Sequence, residues 1–240
     1  MKIIKNCGLL GDYIAYYPKD LSINIKFDEI NYDDKAIIVL NRVYHDSDLA
    51  NLDAFLKSLK DKEFFGIIFS DLAVYELSIK YNLTNKLIYD PNTLITNYED
   101  FNFWNEFNIL GVFVSPFVLK DDLIKIGKEK KLKLFFQGYG HLNMFYSRRP
   151  LITNFMEFNQ IDPQKYLNRV LYLEEETRSE RYPIMEINGE TLIYSPYIFS
   201  CLDQLEELKD YIDYLYIDNS LDDLSPVSDG FFHKKTVYRR

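Results

Sequence analysis

Sulfur is scarce in this chain. Its 240 residues hold two cysteines, Cys7 and Cys201, far apart and outside any CxxC pair. That argues against a disulfide framework or a thiolate zinc site and fits a reducing compartment. Histidine is nearly as rare: His45, His141 and His233 have no metal-ligand spacing to one another, and no HExxH pair occurs. A glycine-rich phosphate loop and a GxSxG elbow are missing too. No apolar run approaches the roughly 20 residues that span a bilayer, and Asp12 interrupts the apolar start MKIIKNCGLLGDYIAYY. The chain therefore reads as cytoplasmic, with no membrane partner. Positive charge is also in deficit, 28 Lys plus Arg against 37 Asp plus Glu, for a net charge of -9. Such a surface as a whole opposes association with nucleic acid, so any RNA contact has to be local. Arg148 with Arg149, and the terminal Lys234, Lys235, Arg239 and Arg240, are the local sources; a frayed tail is the plainer reading of the second group.

What the chain does have is apolar and aromatic bulk, 47% and 16% of its residues, enough for one substantial core in a single domain over residues 1–240. A unit recurs along it: a short β-branched or aromatic run, a polar turn, then an amphipathic segment. Ala36–Leu40 precedes a helix over 48–59; Phe64–Phe69 leads through Ser70, a plausible N-cap, into 71–81; 86–89 precedes 98–107; 110–114 precedes 119–130. The run 132–136 follows, and near the C-terminus a helix over 202–211 precedes a strand over 214–217. Continuous apolar strands imply that both sheet faces are covered. Units of roughly 25 residues then favour a TIM-like (β/α) barrel over a dinucleotide-binding sheet.

The strand count falls short at the N-terminus. Residues 13–17 make a seventh strand, and MKII is too short for both an eighth strand and its helix. The first β/α unit is therefore missing or reduced. Either MKII fills the gap as a bare strand, or the barrel stays open there and its edge needs a cover. Between 138 and 190 the rhythm breaks, as expected of an irregular rim insertion before the last repeat.

The stretch GYGHLNMFYSRRPLITNF, 138–155, opens that interval. Arg148 and Arg149 could grip a phosphate or carboxylate at the barrel mouth, or bridge on the surface to Glu174, Glu175 or Glu176. Tyr139 and His141 could supply acid and base, or be ordinary loop residues. Asp90, Asn92, Thr93 and Asn97 follow a strand on the side where barrels place their sites, though turn and cap chemistry explains the same residues. Glu186 and Asp218 could close the site or pair with an arginine. A hydrolase would use Ser147 or a carboxylate such as Glu186, and Ser147 would need a positioned base. A scaffold would dock a partner at an open edge near residues 13–17.

Two segments, QGYGHLNMFYSRRPLITNF (137–155) and RYPIMEINGETLIYSPYIFSCLDQLEELKDYIDYLYID (181–218), resemble the collagenase-like peptidase family, the unclassified peptidases numbered thirty-two. Gly140, Ser147, Arg148, Arg149, Asn154 and Phe155 hold positions matching the family pattern, and FSDLAVYEL (69–77) fits its usual strand, turn and helix. The resemblance implies a (β/α) barrel acting in proteolysis or in oxygen insertion into RNA bases or quinone precursors. Hydroxylating members hold an iron-sulfur cluster through four cysteines. Here Pro150, Asn143 and Ser200 stand where cysteines are expected, Cys201 lies one place along, and Tyr139 replaces a strand-end histidine, with His141 displaced by two. This pattern is similar to a short, cysteine-poor subgroup that accompanies a longer, cluster-bearing relative in making 5-hydroxyuridine at the tRNA wobble position. The resemblance thus implies no cofactor in this chain, a cluster in a larger cysteine-bearing partner (or else a homo-oligomer), tRNA contact, and substrate binding through Arg148, Arg149 and Asn154.

Overall fold

A computed structural model describes residues 1–6, 11–177, 179–221 and 225–233. Cys7 and the four basic residues of the tail lie outside them. Eight parallel strands close a barrel: β1 (Lys2–Asn6), β2 (Tyr13–Tyr16), β3 (Ala36–Leu40), β4 (Gly66–Phe69), β5 (Leu87–Tyr89), β6 (Gly111–Val114), the first part of β7 (Lys133–Ser147), and a C-terminal strand, Tyr214–Ile217. Alternation along the strands sorts their side chains. Ile37 and Val39 join Ile4, Ala15, Ile68, Ile88 and Phe135 in one buried cluster, while Ala36, Ile38 and Leu40 belong to a second cluster with the helices. A period of two places alternate residues on opposite faces, which is why AIIVL carries no polar residue.

The short N-terminal stretch is a complete barrel strand. β1 pairs with β2 through Ile4↔Tyr13 on one side and with the C-terminal strand through Lys2↔Tyr214 on the other, and that strand also pairs with β7 through Tyr214↔Phe135. The barrel is closed, so the open edge considered above is not formed. What is reduced is the helix content: residues 17–35, between β2 and β3, carry no helix. Helices α1 (Leu49–Ser58), α2 (Leu72–Ile79), α3 (Tyr98–Phe103) and α4 (Lys120–Glu129) follow β3 to β6. Asp71, rather than Ser70, caps α2, its Oδ1 accepting the Ala73 N–H at 2.8 Å.

The interval expected to be irregular is an ordered sheet. β7 does not end at its glycines; it continues beyond the barrel to Ser147 and there pairs antiparallel with β10 (Glu190–Ser200), from Ser200↔Tyr139 to Thr191↔Ser147. After β7 come α5 (Leu151–Phe158), β8 (Leu171–Glu174) and β9 (Arg181–Ile187), and β9 pairs with both β8 and β10. The chain returns through one helical turn, α6 (Leu205–Leu208), to β11 (Tyr214–Ile217), and then to β12 (Val227–Ser228), which pairs with β10. The glycines permit this crossing. The register of β7 against β11 slips between Gln137 and Tyr139, and Gly140 has φ +118°, where an added Cβ would stand 2.3 Å from the Asp218 carbonyl oxygen. The extension packs on the link after β2 through Ile23, Met185, Leu192 and Tyr194. No helix among the described residues is long and apolar enough to cross a membrane.

Candidate functional site at the barrel mouth

The carboxyl ends of the barrel strands and the β7–β10 extension enclose a cavity of about 80 Å³. Tyr17, Asn41, Asp90, Asn92 and Asp218 come from just beyond strand ends, Gln137 from the point where β7 leaves the barrel, and His141, Asn143, Tyr146 and Tyr194 from the extension. This is the end of a (β/α) barrel where short loops after rigid strands can present polar groups. A smaller adjoining cavity, about 20 Å³, shares Asp90, Asn92, Phe113, Gln137 and Asn143 with it.

Burial dominates the electrostatics. It pushes the Asp90 carboxyl up to about 6, partly opposed by the Asn92 N–H, which donates to Oδ1 at 3.0 Å. Asn92 reaches that geometry in the left-handed region, φ +61°. The buried hydroxyls of Tyr17 and Tyr216 hydrogen-bond each other, and burial, reinforced by the Asp218 charge, raises both, and Tyr194 as well. Asp218 Oδ1 accepts from Asn6 Nδ2 at 2.7 Å and from the Ser220 N–H at 2.8 Å, which holds it at the rim. His141 is buried, with Nδ1 2.8 Å from the Ser195 carbonyl oxygen. A carbonyl can only accept, so Nδ1 carries the proton.

Of the residues singled out from the sequence, His141, Asp90, Asn92 and Asp218 meet at this cavity. Tyr139 does not line it; its carbonyl oxygen accepts the Asp218 N–H at 3.0 Å. Arg148 is engaged elsewhere: Nη1 donates to Asp48 at 2.5 Å and to the Val43 carbonyl at 2.8 Å, and Nε lies 2.9 Å from Glu190. Glu190 also takes Arg42 at 2.6 Å and the Tyr146 hydroxyl at 2.9 Å. This partly buried knot ties the extension to the β3–α1 link, and its acids are Glu190 and Asp48 rather than Glu174, Glu175 or Glu176. Arg149 and Asn154 are exposed and outside the cavity.

Ser147 accepts the Arg149 N–H at 3.2 Å, a local turn. It lies six residues from His141 along β7, about 20 Å at ~3.3 Å per residue, so the two cannot form a nucleophile and base pair. Glu186 is buried and accepts the Thr153 N–H at 2.9 Å and its hydroxyl at 2.5 Å, capping the first turn of α5. Asn97 caps α3 through the N–H groups of Glu99 and Asp100. Sequence reasoning missed Tyr17, Asn24, Asn41, Gln137 and Tyr194. Asn41 and Gln137 were discoverable as polar residues placed directly after apolar strand runs; Tyr194 was not, because its position depends on the extension folding back.

The thiol content does not fit an iron-sulfur cluster. Four thiolates are needed and the chain has two cysteines. Cys201 is fully buried in the layer between barrel and helices, where burial pushes its thiol up to about 12. Asn143 lines the cavity, Pro150 precedes α5, and Ser200 sits opposite Tyr139, so these three positions are spread along the extension.

The model of peptidase family U32 matches residues 23–229, most of the chain. This protein belongs to peptidase family U32. Among curated proteins this U32 chain is similar to one from Bacillus subtilis (strain 168) named tRNA hydroxylation protein P2, at 28% identity over 192 residues. The match covers 78% of this chain and 62% of the relative, so the chain spans under two thirds of that protein's length. Among solved structures it is similar to the U32 peptidase Mk0906, with a TM-score of 0.52 at 14% identity over 92% of each chain. That likeness supports the barrel fold.

Proposed function

We propose that this U32 chain is a cytoplasmic, cluster-free subunit or paralogue in the 5-hydroxylation of the tRNA wobble uridine, working with a larger cysteine-bearing relative. The observation that carries the reading is the similarity, over 78% of the chain, to a relative named for tRNA hydroxylation. The mouth cavity supports it with a polar, aromatic-lined pocket where a barrel binds substrate. The thiol count supports the borrowed redox step: two cysteines cannot supply a cage of four. A peptidase reading has weaker support, since Ser147 and Glu186 are both held in structural hydrogen bonds.

Affinity purification from native cells tests the proposal. We expect a larger, cysteine-rich U32 relative to copurify, bringing iron and visible absorption with it. The chain purified alone under anaerobic conditions should be colourless. Stoichiometric iron in the isolated chain would contradict the assignment.

A further inference from the structure

The two cavities at the mouth share a wall of Asp90, Asn92, Phe113, Gln137 and Asn143. Its polar atoms are only partly engaged. The side-chain amides of Asn92, which is exposed, and Asn143, which is half-buried, make no hydrogen bond among the described residues and are open to solvent. Asp90 uses Oδ1 for the Asn92 N–H, at 3.0 Å, and Gln137 uses Nε2 for the His141 carbonyl, at 3.1 Å, which leaves Asp90 Oδ2 and Gln137 Oε1 as acceptors for whatever enters. A ligand that covers this wall takes these groups out of water, so it has to supply both donors and acceptors.

The charges restrict the ligand further. Among the described residues no lysine or arginine lines either cavity, whereas Asp90 and Asp218 do. The guanidinium groups of Arg42 and Arg148 are held by Glu190 and Asp48. A phosphate or carboxylate would face two acids with no counter-ion. The larger cavity, at about 80 Å³, has room for about half a dozen waters at ~10–15 Å³ each, comparable with one small ring, and the rings of Phe113 and Tyr194 border it.

We propose that this wall receives an uncharged planar ring with an imide edge, the class of a uracil base. Asp90 accepts the ring N–H, the Asn92 and Asn143 amides donate to the flanking carbonyl oxygens, and Phe113 packs on the ring face. The inference rests on the reading above, because the base to be hydroxylated is the ring that enters, and it places the sugar and phosphate outside the cavity. An ionised carboxylate opposite the ring N–H also discriminates. Cytosine presents a bare lone pair at that position and would set acceptor against acceptor.

The test is binding to the full chain of uridine, N3-methyluridine, cytidine and inorganic phosphate, followed by calorimetry or ligand-observed NMR. Uridine should bind saturably; N3-methylation, or replacement by cytidine, should weaken binding at least tenfold; phosphate should not compete. Asp90→Ala and Asn143→Ala should each cost at least tenfold in uridine affinity while the chain stays folded by circular dichroism. Wild-type affinity should fall as the pH is lowered through about 6, where Asp90 takes up its proton, and Asp90→Asn should be flat over that range. His141, Asp218 and the tyrosines 17, 146, 194 and 216 face the same cavity, and the Asp90→Asn control separates their titration from that of Asp90. Competition by phosphate, equal binding of N3-methyluridine, wild-type affinity in the variants, or no saturable uridine binding would each overturn the proposal. Unchanged tRNA in a deletion strain would remove the functional reading and leave these binding results standing; loss of the modification without uridine binding would do the reverse.

Discussion

Glu190 joins Arg42, Arg148 and Tyr146. Its carboxylate, 3% exposed, lies 2.6 Å from Arg42 and 2.9 Å from Arg148. Removing the buried Glu190 leaves two partly exposed guanidinium groups without their acid, so Glu190→Ala should destabilise the chain by ~2–3 kcal/mol in urea unfolding. Arg149→Ala, at an exposed residue, should stay within about 0.5 kcal/mol. Asp90 behaves in the opposite sense. Its folded carboxyl is raised from 3.8 to about 6, so the fold disfavours the ionised form, and the group's contribution, full below the unfolded value, is lost as pH rises toward the folded one. Asp90→Asn should therefore raise stability by up to ~2–3 kcal/mol above that window and give no gain below about pH 4, as read from melting temperatures at the two pH values. A binding group that costs stability is common at functional sites. Asn92 and Asp218 were legible as polar residues after strand ends. Arg148 was legible as a ligand grip or an ion-pairing residue but not with its true partners, because Glu190, Asp48 and Val43 are distant in sequence and nothing local marks them.

Among the elements, β1 and β7 decide the architecture. β1 bridges β2 and β11, so deleting residues 1–6 would open the barrel and expose two strand edges. We expect that variant to aggregate on gel filtration where the parent chain does not. Gly140 lets β7 pass from barrel to extension. Gly140→Ala would force both a positive φ and a clash with the Asp218 backbone, at a cost of ~2 kcal/mol or more by chemical denaturation. Every apolar run read as a strand from the sequence is one, because runs buried on both faces announce themselves by composition. The extension was hidden for the opposite reason. HLNMFYS mixes apolar and polar residues, and its glycines read as a strand end, although here they carry the strand across a bend. MKII became a barrel strand only through its two neighbours, a pairing that local pattern does not encode.

For the molecule as a whole, a net charge of -9, with no cation lining the mouth among the described residues, opposes broad electrostatic attraction of a polyanion. A U32 barrel whose mouth is lined by two acids, in a chain with half the thiols of a cluster cage, is what the proposed cluster-free subunit requires. Mass-spectrometric nucleoside analysis of tRNA from cells deleted for this chain, with the larger relative left intact, tests that account most directly. The account predicts loss or sharp reduction of 5-hydroxyuridine-derived nucleosides, restored by re-expressing the wild-type chain; levels equal to those of the parent cells would contradict it.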